Sequence, residues 1–204
     1  MKNSLYKLVC FIMQIIFLSS VFILPFSSAG QPISELEKEC NLKKYSSCGI
    51  LGSRYYLGEV VRQDKTKAIS LYLKSCDGGY LPGCNDLGLV YIKGNNVGQD
   101  YVKAHELFQK ACNGGDAWGC GNLGTMYDNG FGVREDNFKA VELFQKSCNG
   151  GYPLGCSNLG TMFQYGEGVR KDNSKALEFY GKACDLKEAA GCSNYTNLKN
   201  QVVR

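Results

Sequence analysis

Eleven cysteines carry most of the chemistry that this 204-residue chain can offer. Ten of them form five pairs: Cys40 and Cys48, Cys76 and Cys84, Cys112 and Cys120, Cys148 and Cys156, Cys184 and Cys192. The spacing is 8 within a pair and 36 from one pair to the next, without slippage. Paired thiols either hold a metal or oxidise to disulfides. Zinc sites set their paired cysteines about 2–4 residues apart and often recruit histidine. Here the gap is 8 and His105 is the only histidine. The pattern therefore reads as five local disulfides, with no metal and no cofactor. His105 stands in a column otherwise filled by Ile69, Val141 and Leu177. It is read as a partly buried packing residue, not as a base or ligand.

The elements that hold these cysteines repeat with the same period. Before each later pair runs a segment such as Lys103-Ala104-His105-Glu106-Leu107-Phe108, with Ala and then apolar residues three and four places on. That spacing makes one apolar helical stripe. Asp64, Asp100, Asp136 and Asp172 precede these segments as N-caps or first-turn acids. We call this element helix B. After the second cysteine of a pair comes helix A, for example Gly121-Asn122-Leu123-Gly124-Thr125-Met126-Tyr127. Its recurrent glycine (Gly52, Gly88, Gly124, Gly160) costs about 1 kcal/mol against alanine inside a helix, so a close helix–helix approach is expected there. Helix A is expected to stop at Gly94, Gly130 and Gly166.

Between the paired cysteines the chain must turn. Residues eight apart in one continuous helix lie about 12 Å apart, whereas disulfide Cα atoms lie roughly 4.4–6.8 Å apart. Gly78-Gly79, Gly114-Gly115 and Gly150-Gly151 sit in that interval, suited to a left-handed C-cap of helix B. Each bridge then ties helix B to the next helix A and contributes about 2.5 kcal/mol on the loop-entropy account. The ends depart from the middle, as capping repeats do: residues 33–40 supply a short helix B, and residues 197–204 read as a polar tail.

The N-terminus has a different composition. Lys2 and Lys7 precede an apolar run over residues 8–26, followed by Ser27-Ser28-Ala29. This is the pattern of a secretory signal cleaved after Ala29. The run is also about long enough to span a bilayer, so an uncleaved anchor is the other reading. Cys10 lies ahead of the apolar core with Lys7 three places before it, which does not suit lipid attachment. Without the two signal lysines, 21 basic residues face 19 acidic ones. That balance speaks against nucleic acid, and against any membrane contact beyond the signal segment. A secreted or periplasmic monomer is expected.

The shared pattern in helix B, the Gly-x-Leu-Gly-x-Met-Tyr run of helix A and the loops Gly130-Phe131-Gly132-Val133 and Gly166-Glu167-Gly168-Val169 resemble Sel1-like repeats, relatives of the tetratricopeptide repeat. The cysteine spacing narrows this to the Helicobacter cysteine-rich protein family of secreted, disulfide-bridged repeat proteins. The resemblance covers nearly all of residues 30–204. It implies an all-α fold, a right-handed α-solenoid of about four 36-residue helix-turn-helix repeats near 44–79, 80–115, 116–151 and 152–187, with capping half-repeats at 31–43 and 188–204.

In such repeats helix A lines a concave groove. The groove candidates are its variable polar positions Arg54, Asp86, Asn122, Thr125, Asp128, Asn158, Thr161, Gln164 and Asn194. One column runs Ile50, Asp86, Asn122, Asn158, Asn194 and is suited to clamp an extended peptide backbone. The same side chains could instead bond neighbouring backbone within the stack. Trp118 is either an exposed anchor or inter-repeat packing, and Tyr80 and Tyr152 read as packing. The implied partner is a protein or peptide: a host protein or a peptidoglycan-related molecule. The alternative that the resemblance carries is a β-lactam hydrolase. Residues 30–204 contain no Ser-x-x-Lys; the one such motif is Ser4–Lys7 in the signal, and Lys65-Thr66-Lys67 is not Lys-Thr-Gly. No catalytic residue is assigned. The formal glycosylation sequon at Asn194 is discounted as part of the repeat.

Overall fold

A computed structural model describes residues 30–94 and 96–202. They form ten α-helices and, among the described residues, no strand. In chain order these are α1 (Ile33–Asn41), α2 (Tyr45–Leu57), α3 (Lys65–Asp77), α4 (Leu81–Lys93) and α5 (Tyr101–Asn113). Then come α6 (Ala117–Asn129), α7 (Asn137–Asn149), α8 (Pro153–Tyr165), α9 (Asn173–Asp185) and α10 (Ala189–Val202). Odd-numbered helices are the B elements and even-numbered helices the A elements. Each packs on the next in sequence. The A helices also touch one another along the stack: α2 on α4, α4 on α6, α6 on α8, α8 on α10. This arrangement is an α-solenoid with the A helices as one continuous layer.

Local chemistry sets the helix boundaries. Asp64, Asp100, Asp136 and Asp172 are the N-caps of α3, α5, α7 and α9, and their carboxylates accept from the backbone N–H of Lys67, Lys103, Lys139 and Lys175 at 2.9–3.0 Å. Helices α2, α4, α6 and α8 end on left-handed Gly58, Gly94, Gly130 and Gly166.

The turn from B to A divides its glycine pair between two tasks. Gly79 has φ +89° and takes the left-handed position. Gly78 stays right-handed, and a Cβ there would run into the Tyr45 ring of the preceding A helix. The left-handed residue is thus the second glycine, and the first is a matter of space. The end repeats manage with Lys43 and Lys187 at positive φ. All five bridges close across this turn with Cα atoms 4.5–4.8 Å apart.

The core lies between the A and B layers. Ala68, Ala104, Ala140 and Ala176 are fully buried, and beside them sit the rings of Tyr72, Phe108, Phe144 and Tyr180. Each ring rests on the helix A glycine twenty residues earlier. A Cβ on Gly88 would meet Phe108 at 2.6 Å, and one on Gly124 would meet Phe144 at 2.8 Å. The close approach expected from those glycines is therefore a ring entering the notch.

The C-terminus differs from the polar tail expected of residues 197–204. Helix α10 continues to Val202. Leu198, in the column of Val90, Met126 and Met162, is 2% exposed and packs on Ala176 and Tyr180. One apolar residue at the right helical position extends the element.

Two glycine-to-alanine variants separate space from propensity. Gly88→Ala is expected to lower stability by about 1–3 kcal/mol, because overpacking against Phe108 outweighs the gain in helix propensity. Gly181→Ala, in α9, meets nothing closer than the Tyr195 ring at 3.7 Å and is expected to raise stability by roughly 0.5–1 kcal/mol. Thermal unfolding of the oxidised variants by circular dichroism measures both.

Candidate functional site

The A layer presents its polar column as a row. Ile50, Asp86, Asn122, Asn158 and Asn194 are all half-buried, one per helix from α2 to α10. They do not behave alike. Asn122 donates from Nδ2 to Oδ1 of the buried Asn85 on α4 at 2.7 Å. Its carboxamide is therefore partly used inside the stack. Asn158 is half-buried, and its carboxamide has no hydrogen-bond partner among the described residues.

The other candidates sort by register. Thr125 and Thr161 hydrogen-bond their own helix at the Gly121 and Ser157 carbonyls, at 3.1 and 3.2 Å. Thr161 and Gln164 also engage the Tyr180 hydroxyl, at 3.1 and 2.7 Å. These two belong to the α8–α9 contact. Arg54 occupies the column of Val90, Met126 and Met162, which is core elsewhere. Its side chain is 14% exposed and its guanidinium pairs with Glu59 at 3.0 Å. Asp128 is half-buried on α6; burial, with Glu167 and Glu135 nearby, raises its pKa.

Asp86 has the most unusual surroundings. It opens into a cavity of about 190 Å³ walled by Ser53, Tyr56 and Leu57 of α2, Tyr72 of α3, and Leu89, Val90 and Lys93 of its own helix. Burial, reinforced by the charge of Asp116, pushes its pKa up to about 6. Among the described residues its carboxylate makes no ion pair and accepts no side-chain hydrogen bond. Tyr72 donates its hydroxyl proton to Ser53 Oγ at 3.1 Å, and burial raises the pKa of that phenol. Sequence reasoning found Asp86 but missed Tyr56 and Tyr72. Tyr72 lies in the core-ring column and Tyr56 in a column of Ile92, Asp128 and Gln164, so neither stood out.

A second repeating feature was also missed. Lys67, Lys103, Lys139 and Lys175 lie over the rings of Tyr55, Tyr91, Tyr127 and Phe163 at 4.1–5.3 Å from the centroids. The signal was present as two columns twelve residues apart. Larger crevices of about 740, 680 and 520 Å³ open where the A–B loops meet these lysines. Their walls include the capping aspartates Asp64, Asp136 and Asp172 and the rings of Tyr55, Tyr127 and Phe163, groups that also hold the fold, together with Arg62, Arg134 and Arg170 of the loops.

His105 is half-buried on the B layer, away from the row. Its Nε2 lies 3.1 Å from the Tyr127 hydroxyl, and burial together with Lys139 lowers its pKa. It packs edge-on to that ring, as a substitute for an aliphatic residue would. Trp118 is 56% exposed at the start of α6, with its ring 5.3 Å from Tyr152, so it combines surface exposure with inter-repeat packing. The Tyr80 ring fills the space beside Gly49. Among the described residues no histidine, cysteine and carboxylate group is arranged to hold a metal.

A disulfide-bridged stack of helix pairs with a polar row on one layer is a scaffold of the interaction-module class. The Sel1 repeat profile matches residues 47–80, 81–116, 119–152 and 153–188, and the chain belongs to the Sel1 repeat family. Sel1 repeats are protein–protein interaction modules. Among solved structures it is similar to a protective antigen of uropathogenic Escherichia coli strains with an SLR fold, at 30% identity and TM-score 0.74 over 80% of this chain and 35% of that one. A Sel1 repeat protein from Oxalobacter formigenes matches at 19% identity and TM-score 0.76, over 81% of this chain and 66% of that one, which shows the fold alone. The chain thus spans about a third and about two thirds of the lengths of these two proteins. Helicobacter pylori cysteine-rich protein B matches at 30% identity and TM-score 0.50, over 64% of this chain and 98% of that one. The comparison with curated proteins gave no match. Five disulfides fit an oxidising compartment outside the cytoplasm. No helix among the described residues is long and apolar enough to cross a membrane. The secretory signal expected over residues 1–29 lies outside the described residues.

Asp86 also has a stability consequence. It binds its proton more tightly in the folded chain than in the unfolded one, so stability falls as pH rises from about 4 through about 6. Asparagine fills the same column in the next three repeats without difficulty. Asp86→Asn is therefore expected to raise stability at pH 7.5 by about 1–2 kcal/mol, discounted for partial exposure, and to lose that advantage near pH 4. Paired thermal melts at the two pH values measure it.

Proposed function

We propose that this chain is an exported binding scaffold that holds an extended segment of a protein or peptide along its A layer. The observation that carries the reading is the row of half-buried amide and carboxylate side chains at 36-residue spacing on helices that touch side by side. An extended strand exposes alternating N–H and C=O groups, and carboxamides can meet both. The closed bridges keep the row rigid, so little ordering entropy is lost on binding. In this reading residues 1–29 are a signal cleaved after Ala29, and the working form is a monomer of residues 30–204, secreted or periplasmic. The partner is a protein or peptide ligand: a host protein or a peptidoglycan-related molecule.

The two asparagines at the centre of the row give the test. Oxidised protein is probed against an array of random-sequence peptides, and the best binder is titrated by fluorescence anisotropy. Asn158→Ala is expected to weaken binding about 5–10-fold, one hydrogen-bonded carboxamide lost, with no change in melting temperature. Asn122→Ala is expected to lower the melting temperature as well, since it strips Asn85 of its partner. Binding insensitive to both variants, or no peptide retained at all, overturns the reading.

A further inference from the structure

We infer that the cavity between α2, α3 and α4 is a specificity pocket for one basic side chain, a lysine or arginine, of the segment bound along the A layer. The inference rests on that groove reading, and it adds the chemistry of one residue of the partner.

Three observations converge. First, the cavity of about 190 Å³ is on the scale of one long side chain and lies at the N-terminal end of the row, at Asp86. Secondly, its one acid, Asp86, is half-buried with neither an ion pair nor a side-chain hydrogen bond among the described residues. A carboxylate in that position is held at a cost unless a cation joins it. Lys93, two turns further along the same face of α4, also lines the cavity and makes no ion pair with Asp86 among the described residues. Thirdly, the walls suit the rest of a basic side chain. The rings of Tyr56 and Tyr72 lie 6.3 Å apart, tilted by 51°, and Leu57 and Leu89 supply apolar surface for a methylene stem.

The combination occurs at one junction only. In the later repeats the column of Asp86 holds asparagine, and the column of Tyr56 holds Ile92, Asp128 and Gln164. At the α8–α9 junction Gln164, in the column of Tyr56, accepts a hydrogen bond from the Tyr180 hydroxyl at 2.7 Å. Charge and cavity therefore give the row a direction: a basic residue is held toward its N-terminal end and backbone beyond it. The groups facing Asp86 are Ser53 and Tyr56 from α2, Tyr72 from α3, Tyr80 from the turn, Asp116 ahead of α6 and Lys93 on α4. Asp86 is the one among them that titrates near pH 6, so the pocket loses its charge below that pH.

The test uses N-acetyl-lysine methylamide and its uncharged isostere N-acetyl-norleucine methylamide, titrated into the oxidised, ¹⁵N-labelled protein. The lysine probe is expected to shift amide signals of α2 and α4 saturably at pH 7.5, at least fivefold more tightly than at pH 4.5. The norleucine probe is expected to shift them far less. Asp86→Asn removes the lysine response while the remaining spectrum, a check on the fold, stays in place; Gly181→Ala, in α9 and outside the row, leaves the response intact. Equal responses to the two probes, or a lysine response that survives Asp86→Asn, overturn the pocket. Array peptides that bind with no preference for a basic residue also overturn it and leave the groove reading standing. Lysine-probe binding without any peptide binding does the opposite.

Discussion

Within each repeat an aromatic ring occupies space that a side chain would fill on the facing helix. Tyr72 enters the notch at Gly52, Phe108 that at Gly88, Phe144 that at Gly124 and Tyr180 that at Gly160. The ring is large and the glycine absent of bulk, so the A and B helices meet at close range without a void. That distance sets how far one helix pair stands from the next. It brings the A helices into mutual contact and turns isolated polar positions into a row. Alanine beside each ring, fully buried, keeps the same economy of volume on helix B.

The disulfides act on a different part of the problem. No repeat contacts more than its neighbours, so stability accumulates pair by pair and a weak turn would let the stack open locally. Each bridge closes the turn where helix B reverses into helix A. The same turn needs one left-handed residue and one residue with no side chain, and the glycine pairs supply both. The end repeats show how much of this is interface and how much is backbone. Lys43 and Lys187 take the left-handed conformation where the glycine is missing; the demand at this position is one of backbone, since a Cβ on Gly79, Gly115 or Gly151 would meet nothing within 4 Å. The polar row and the rigid frame thus come from separate devices, which leaves the row free to vary in residue type.

Asp86 illustrates that freedom. Its column tolerates asparagine in three other repeats, yet here it carries a carboxylate that burial disfavours. Neighbouring tyrosines and a cavity make the position chemically distinct from its repeats. The fold does not require a charge there, because a neutral isostere fills the same column in three other repeats.

Repetition made most of the architecture legible in the letters. A period of 36, capping aspartates, helix A glycines and cysteines eight apart each follow from short-range geometry, and each was found where that geometry requires it. The polar tail was misjudged because one residue, Leu198, decided it through a contact with Tyr180 and Ala176 from another helix. The candidate site was legible only as columns. Which columns remain available depends on partners distant in sequence: Asn122 bonds to Asn85, Thr161 and Gln164 join Tyr180, and Arg54 falls in a core column beside Glu59. Asp86 gains its character from Tyr56 and Tyr72 on two other helices. The sequence by itself determined the helices, their order and their bridges, because those depend on neighbours within a few residues. Only the tertiary structure decided which polar groups stay unspent, because burial and hydrogen-bond pairing are properties of the packed stack.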